Sequence, residues 1–204
     1  EVAYEFRSIA DIMVASSQTI PGFGYPYTQV MQAVAAEPGT VTPDRFSEIL
    51  VSEYFDTYEN GGHVEAPIYD GAIFGYDYSL SAVDLSQIGG VVAAIDSLGS
   101  ELNGNYSDAT SWFSTLKFAN PTCMDIYDFT VNEAASASSS VQTAVNNAVI
   151  YHQAGSALAD SSGLAVYFPL LKDYVSPDYT SGNNQFCADA PNWPAFLNSL
   201  APTT

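Results

Sequence analysis

Residues 11–27 read Asp-Ile-Met-Val-Ala-Ser-Ser-Gln-Thr-Ile-Pro-Gly-Phe-Gly-Tyr-Pro-Tyr, an apolar run that gives way to small polar residues and then to a turn. Ile12 to Ala15 suits a buried strand. Pro21-Gly22 and Gly24 then bend the chain before Tyr27. In open α/β sheets ligands sit outside the carboxyl ends of strands. Ser16, Ser17 and Gln18 occupy such an end, where they can hydrogen-bond a peptide main chain, and Phe23 and Tyr25 can wall a side-chain pocket. The same residues also suit a plain strand end capped by small polar groups ahead of a Pro-Gly turn. Spacing alone weighs the two equally.

Outward from this stretch the chain alternates helical and extended patterns. Residues 1–9 read as the end of a helix with Val2, Phe6 and Ile9 on one face. Tyr27 to Ala36 reads as a helix ending at Pro38-Gly39. Thr42-Pro43-Asp44 opens another: Thr42 can cap it, Pro43 suits its first turn and Asp44 favours its N-terminal dipole. That helix carries Phe46, Ile49, Leu50, Tyr54 and Phe55 and stops near Asn60. Residues 63–75 look like an irregular Gly/Pro-rich loop.

Residues 76–85 alternate as a strand, with Tyr78, Leu80, Ala82 and Asp84 on one side. Asp84 or Ser86 caps a helix that runs to Leu102. Residues 107–119 and 126–135 add two helical patterns. A Ser/Ala-rich stretch at 134–140 is either a link or the start of a helix reaching Gln153. Gly163 to Pro169 is a late strand, and Trp193 to Leu200 a short final helix. The expectation is a mixed α/β chain of about three strands with many helices. Residues 1–90 form one part, and residues 91–204 a mostly helical part packed on the same sheet. So thin a sheet leaves strand edges to be covered. Another chain or an N-terminal segment is expected to complete it beside Ile12–Ala15.

The chain has 204 residues, enough for a substantial core, and 47% of them are hydrophobic. Its charge balance is extreme, with 4 basic against 23 acidic residues and a net charge of −19. Such a surface repels nucleic acid and anionic membrane, because it offers few cations to displace phosphate counterions. It suits an extracellular or cell-surface setting, high salt or a divalent-cation-rich medium, and it also suits solubility alone. No run of about 20 apolar residues is present, so no membrane span is read. The sequon Asn105-Tyr106-Ser107 fits an extracellular setting. There Cys123 and Cys187 can pair, closing a long loop worth about 4 kcal/mol in the chain-entropy model, or remain two separate buried thiols. The sequence starts at Glu1 and not at a Met, which reads as removal or omission of the true N-terminus.

Chemistry-bearing residues are sparse. Nucleophilic catalysis needs a Ser or Cys within reach of a base. The two histidines, His63 in a loop and His152 near an expected helix end, have no obvious partner. Neither Cys123 nor Cys187 has the strand-end placement that exposes a nucleophile. Paired-histidine and Cys-x-x-Cys patterns for zinc are missing, as are Gly-rich phosphate cradles. No cofactor is required, and the metal site is unknown. Asp70, Asp77 and Asp178 lie in acidic loops able to bind Ca²⁺, but among 23 acids such clusters also arise by chance.

Several segments resemble the clostripain-like cysteine peptidases, a family with a caspase-like fold. Glu1-Val2-Ala3-Tyr4-Glu5 resembles the start of the helix that follows the nucleophile. Residues 15–27 resemble the strand and turn bordering the substrate pocket, and Leu80 to Ser86 a strand-to-helix segment. Residues 163–169 and 193–197 are similar to the late strand and final helix. The order matches along nearly the whole chain. The resemblance implies peptide-bond hydrolysis by a His–Cys dyad, with both members lying before Glu1. No catalytic role therefore falls on this chain. What carries over is a substrate-pocket wall: Ser16, Ser17, Gln18, Phe23 and Tyr25. Members that cleave after Arg or Lys need an acid in that pocket, where this chain offers Phe23. Three readings follow. The chain is the C-terminal chain of a processed, secreted endopeptidase, with an N-terminal fragment or another subunit as partner and a peptide or protein as substrate. Or it is a catalytically inactive peptidase-like structural or binding module in an extracellular assembly. Or it is an unrelated acidic α/β binding domain.

Overall fold

The computed structural model describes residues 1–59, 78–106, 115, 118, 122–133, 135–169, 175–179 and 184–200. Within them lie five strands: β1 (Ile12–Ala15), β2 (Ser79–Asp84), β3 (Cys123–Asp125), β4 (Val149–Ala154) and β5 (Ala165–Tyr167). The helices are α1 (Val2–Phe6), α2 (Tyr27–Ala36), α3 (Pro43–Glu59), α4 (Ile88–Leu102), α5 (Ile126–Asn132), α6 (Ser138–Ala148), α7 (Gln185–Asp189) and α8 (Asn192–Ser199). The mixed α/β class holds, with five described strands where about three were expected. Asp70, Asp77, His63 and most of the expected 107–119 helix lie outside the described residues.

Strand β2 is the centre of a three-stranded antiparallel sheet ordered β1-β2-β4. Ala15 faces Ser81 on one side, and His152 faces Ser81 on the other. Side chains alternate along a strand, so Met13, Ala15, Ser81, Val83 and His152 share one face, and Val14, Leu80 and Ala82 the other. The second face packs on Val51, Tyr54 and Tyr58 of α3 together with Tyr78. The first face meets the larger core, where Val83 joins α4, Met124, Phe129, Phe168 and Trp193. The alternation read at 76–85 holds for Tyr78, Leu80 and Ala82, which share one side, but the other side is buried as well. Residues 79–83 are all buried, because each face of β2 meets its own core.

Two strands escaped the sequence reading. The expected helix to Gln153 stops at Ala148, and Val149-Ile-Tyr-His-Gln-Ala154 turns into β4. Its β-branched and aromatic residues suit an extended chain once a sheet edge is there to receive them. His152 thus lies mid-strand and not at a helix end. Strand β3 is three residues long and pairs antiparallel with β5 as a second sheet, too short to leave a periodic signal. Several helix boundaries follow the capping chemistry. The Thr42 hydroxyl accepts from the Arg45 N–H at 3.2 Å. Asp84 accepts from the Ser86 N–H at 2.8 Å in the turn before α4, although neither residue is the N-cap, which is Gln87.

Helices α4 and α8 cross at backbone distance. A Cβ on Gly99 would lie 2.8 Å from the Asn192 carbonyl and from the Trp193 Cα. Asp96 fixes the crossing by accepting from the Asn192 N–H at 2.8 Å and from its side-chain amide at 2.9 Å. Trp193, fully buried, donates its indole N–H to the Tyr167 carbonyl. We expect Gly99→Ala to push α8 outward and to cost about 1–3 kcal/mol, as overpacking of a tight contact does. Urea denaturation followed by Trp fluorescence measures it; a midpoint equal to that of the unmodified chain would refute the tight crossing.

Candidate functional site

The carboxyl end of β1 borders a cavity of about 250 Å³. Met13 and Ala15 of β1, Val83 of β2, Ser16, Ser17, residues 163–165 and residues 1–3 line it. Of the five residues expected to wall a pocket, only Ser16 and Ser17 line this cavity. The Ser16 hydroxyl accepts from the Gln18 N–H at 3.0 Å and lies 3.4 Å from the Ser79 hydroxyl. Ser17 donates to the Gly163 carbonyl across the cavity at 3.4 Å.

The other three are placed elsewhere. Gln18 is buried, and its side-chain oxygen accepts from the Thr19 N–H at 2.9 Å. Phe23 is exposed on the turn. Tyr25 packs on the opposite face of the sheet, its ring 5.7 Å from that of Tyr54. Tyr58 and Tyr78 complete this aromatic group, and the Tyr58 hydroxyl donates to the Gly24 carbonyl at 2.8 Å. The turn at 21–27 is thereby clamped from beneath by α3. Burial pushes the Tyr58 phenol up to about 12, and that of Tyr54 higher still.

The wall at Gly163–Ala165 was not read as functional, although its glycine carries a signal. Gly163 has φ +97°, and a Cβ there would come within 2.5 Å of the Ser81 hydroxyl, so only glycine fits. Two polar groups, one buried and one half-buried, pin the preceding residues. Asp125, fully buried, accepts from the N–H groups of Tyr127 (3.0 Å), Asp128 (3.1 Å) and Ser162 (2.7 Å), and from the Ser162 hydroxyl (2.8 Å). It caps α5 and holds the loop at once. Burial raises its carboxyl above the usual range, while the hydrogen bonds from Ser162 and Asp128 pull it back down.

His152 pins the same loop from the sheet. Its Nδ1 lies 3.1 Å from the Leu80 carbonyl and 3.0 Å from the Ser81 hydroxyl, and its Nε2 lies 2.7 Å from the Ser161 hydroxyl. A carbonyl only accepts, so the contact with Leu80 is a hydrogen bond in the tautomer that carries its proton on Nδ1, in which Ser161 donates to Nε2. Burial lowers the imidazole below its ordinary value, opposed by the main-chain groups of Leu80 and Ser161.

None of the hydrogen bonds of His152 goes to a thiol. Both Cys123 and Cys187 are free, which corrects the expected disulfide. Cys187 donates to the Tyr179 carbonyl. Cys123, on β3, sits opposite Tyr167, whose ring stacks on Tyr179 at 3.9 Å. The aromatic pair occupies the surroundings of both sulfurs. Burial, as the largest cause, raises both thiols above their ordinary range, the opposite of an activated nucleophile. Asn105 is exposed at the end of α4, and its side-chain amide donates to the Glu101 carbonyl at 2.9 Å. Among the described residues no group of three or more His, Cys, Asp or Glu is placed to hold a metal ion. Asp178 accepts from Ser176 in a local turn. No described helix is long and apolar enough to cross a membrane.

Comparison with known proteins gives these arrangements a context. A family model described as the clostripain family matches residues 1–180. Among solved structures, a B. fragilis cysteine protease is 17% identical with a TM-score of 0.66, over 97% of this chain and 82% of that one. An inactive zymogen C11 protease from Parabacteroides distasonis gives 16% and 0.63, over 93% of this chain and 54% of its own. A secreted C11 cysteine protease from Bacteroides thetaiotaomicron, in complex with an irreversible peptide inhibitor, gives 18% and 0.65, over 93% and 54%. At these identities the likeness establishes the caspase-like fold, and this chain spans about half of the latter two. No curated protein sequence matches it.

The histidine latch has a measurable signature. The folded-state pKa of His152 is lowered from an unfolded value of about 6.5, so below that value the unfolded chain takes up more protons. Stability should fall as pH drops from about 6.5 toward the folded pKa, and level off below it for this group. We expect His152→Gln to lose that slope when urea midpoints are compared between pH 7.5 and 5. Parallel profiles for the two proteins would show that His152 does not carry it.

Proposed function

The chain belongs to the clostripain family, and from that premise we propose that it is the C-terminal portion of a secreted cysteine endopeptidase, supplying one wall of the substrate pocket but not the His–Cys dyad. The observation that carries this reading is that no hydrogen bond joins thiol and imidazole among the described residues. His152 hydrogen-bonds to Ser81, Ser161 and the Leu80 carbonyl, while Cys187 is buried, Cys123 is half-buried, and desolvation raises both thiols. A cysteine nucleophile must be held against its base and kept ionisable; neither Cys123 nor Cys187 hydrogen-bonds to His152, and burial raises both thiols.

Further support comes from the edge of the sheet. Strand β1 pairs with β2 on one side, and among the described residues no strand pairs with its other side. Val2, Phe6 and Ile9, the apolar stripe of the first helical segment, are 65%, 47% and 75% exposed. Unpaired strand edges and apolar stripes are normally covered. An upstream segment of the same precursor, carrying the Cys and His, fits both. The cavity with Ser16, Ser17 and Gly163 lies at the strand end where a peptide would then bind. The acidic surface and the exposed Asn105 sequon suit secretion.

The test uses the full-length gene product, treated with a thiol-reactive peptide probe and mapped by mass spectrometry. The expected adduct is on a cysteine upstream of Glu1, with a His-Gly pair further upstream, and none on Cys123 or Cys187. Labelling of Cys123 or Cys187 alone would overturn the proposal. No labelling anywhere would favour an inactive peptidase-like module in an extracellular assembly.

A further inference from the structure

A second cavity, of about 270 Å³, adjoins the loop that Asp125 and His152 hold. Tyr127 of α5, Asn146 of α6, Val149 of β4 and residues 159–162 line it. Ser161 is half-buried there, and its hydroxyl lies 2.7 Å from His152 Nε2. The other ring nitrogen, Nδ1, lies 3.1 Å from the Leu80 carbonyl and 3.0 Å from the Ser81 hydroxyl. A hydroxyl within reach of an imidazole whose second nitrogen is itself held is the arrangement that activates a serine. The loop also holds the serine in place. The Ser161 N–H donates to the Leu158 carbonyl at 2.9 Å, and Ser162 on its other side is bound twice to Asp125.

We propose that Ser161 and His152 form a second nucleophilic centre, separate from any His–Cys dyad, which takes the acyl group of a small neutral or cationic ester. In the tautomer with its proton on Nδ1, Nε2 accepts the Ser161 proton as Oγ bonds to the acyl carbon. The ester C–O bond then breaks, and the leaving alcohol carries that proton away. Water, giving its proton to Nε2, hydrolyses the acyl-serine to a carboxylic acid and restores Ser161. While the ring is charged, the Leu80 carbonyl steadies its Nδ1–H. A carbonyl does this with less charge than the buried carboxylate of a full triad, so the pair suits esters with good leaving groups and not amides. Asn146 and Tyr127 bring a side-chain amide and a hydroxyl to the lining, the kinds of donor that stabilise an oxyanion. Val149 and Ala159 add apolar surface, and about 270 Å³ is below the roughly 300–1,000 Å³ of pockets for drug-sized ligands, so the acyl group is short. Asp160 in the lining and the net charge of −19 disfavour an anionic substrate.

The experiment takes the full-length gene product with its accessible thiols first alkylated by iodoacetamide, so that no cysteine nucleophile contributes. It is treated with a fluorophosphonate, and the adduct is mapped by mass spectrometry; a parallel sample receives p-nitrophenyl acetate. The expected results are an adduct on Ser161 and a p-nitrophenolate burst of about one equivalent. Ser161→Ala should abolish both. His152→Gln, which keeps a hydrogen-bonding side chain but no base, should slow acylation by about 100-fold or more; melting temperatures confirm that each variant is folded. Unfolding the unmodified chain in urea should abolish the adduct too, a readout that stands even where a variant does not fold. No adduct on Ser161 in the folded protein would overturn the proposal. So would an undiminished rate in folded His152→Gln, or equal labelling in urea. None of these outcomes touches the endopeptidase reading, which rests on thiol labelling upstream of Glu1.

Discussion

Everything else in this chain is built on the double burial of β2. A strand whose residues all face protein must offer a different partner on each side, and its register then fixes both. Leu80 and Ala82 commit to the tyrosines and valine of α3. Val83 commits to the core of α4 and the second sheet, while Ser81 stands under Gly163 and His152. A slip of one residue would exchange these sets, placing a hydroxyl against Tyr54 and a leucine beneath the cavity loop. Such a slip cannot be tolerated at either core, so the antiparallel pairing with β1 is locked. The cavity at the end of β1 is a consequence of that lock.

Features that depended on local chemistry were legible from the sequence. The strand at Ile12–Ala15, the Thr42 cap, the helix after Leu85 and the late strand all declare themselves through periodicity and turn residues. What was hidden depended on distant partners. Strand β4 reads as a helix continuation, because its extended form is imposed by β2. Asp125 looks like one acid among many until four donors from two segments converge on it. The five residues of the pocket expectation were near one another in sequence, but a strand end followed by a tight turn sends Ser16 and Tyr25 to opposite faces of one sheet. Proximity along the chain does not give proximity in space. The cysteines stayed open between a bridge and two separate thiols for a related reason: residue counting gives the loop length but not whether the sulfurs meet, and both are free here.

The loop at 161–163 shows how a fold holds a site wall without covalent help. A fully buried carboxylate is costly unless every lone pair finds a donor, and Asp125 meets that condition with main-chain and hydroxyl groups. A neutral histidine supplies the second anchor, and a glycine in the left-handed region allows the closest approach. Each device is local, yet together they join β3, β4 and α5 to one side of the cavity.

The aromatic group under the 21–27 turn has a consequence for chemical reactivity. Reagents that nitrate or iodinate tyrosine act mainly on the phenolate. Tyr27 is 72% exposed, and its ring lies only 6.3 Å from that of Tyr25. Beneath it, Tyr54 and Tyr58 are buried and hold their protons far into the alkaline range. One small patch therefore pairs a phenol open to modification with others closed to it, and the stretch that folds the pocket carries its own reporter of whether that clamp is shut.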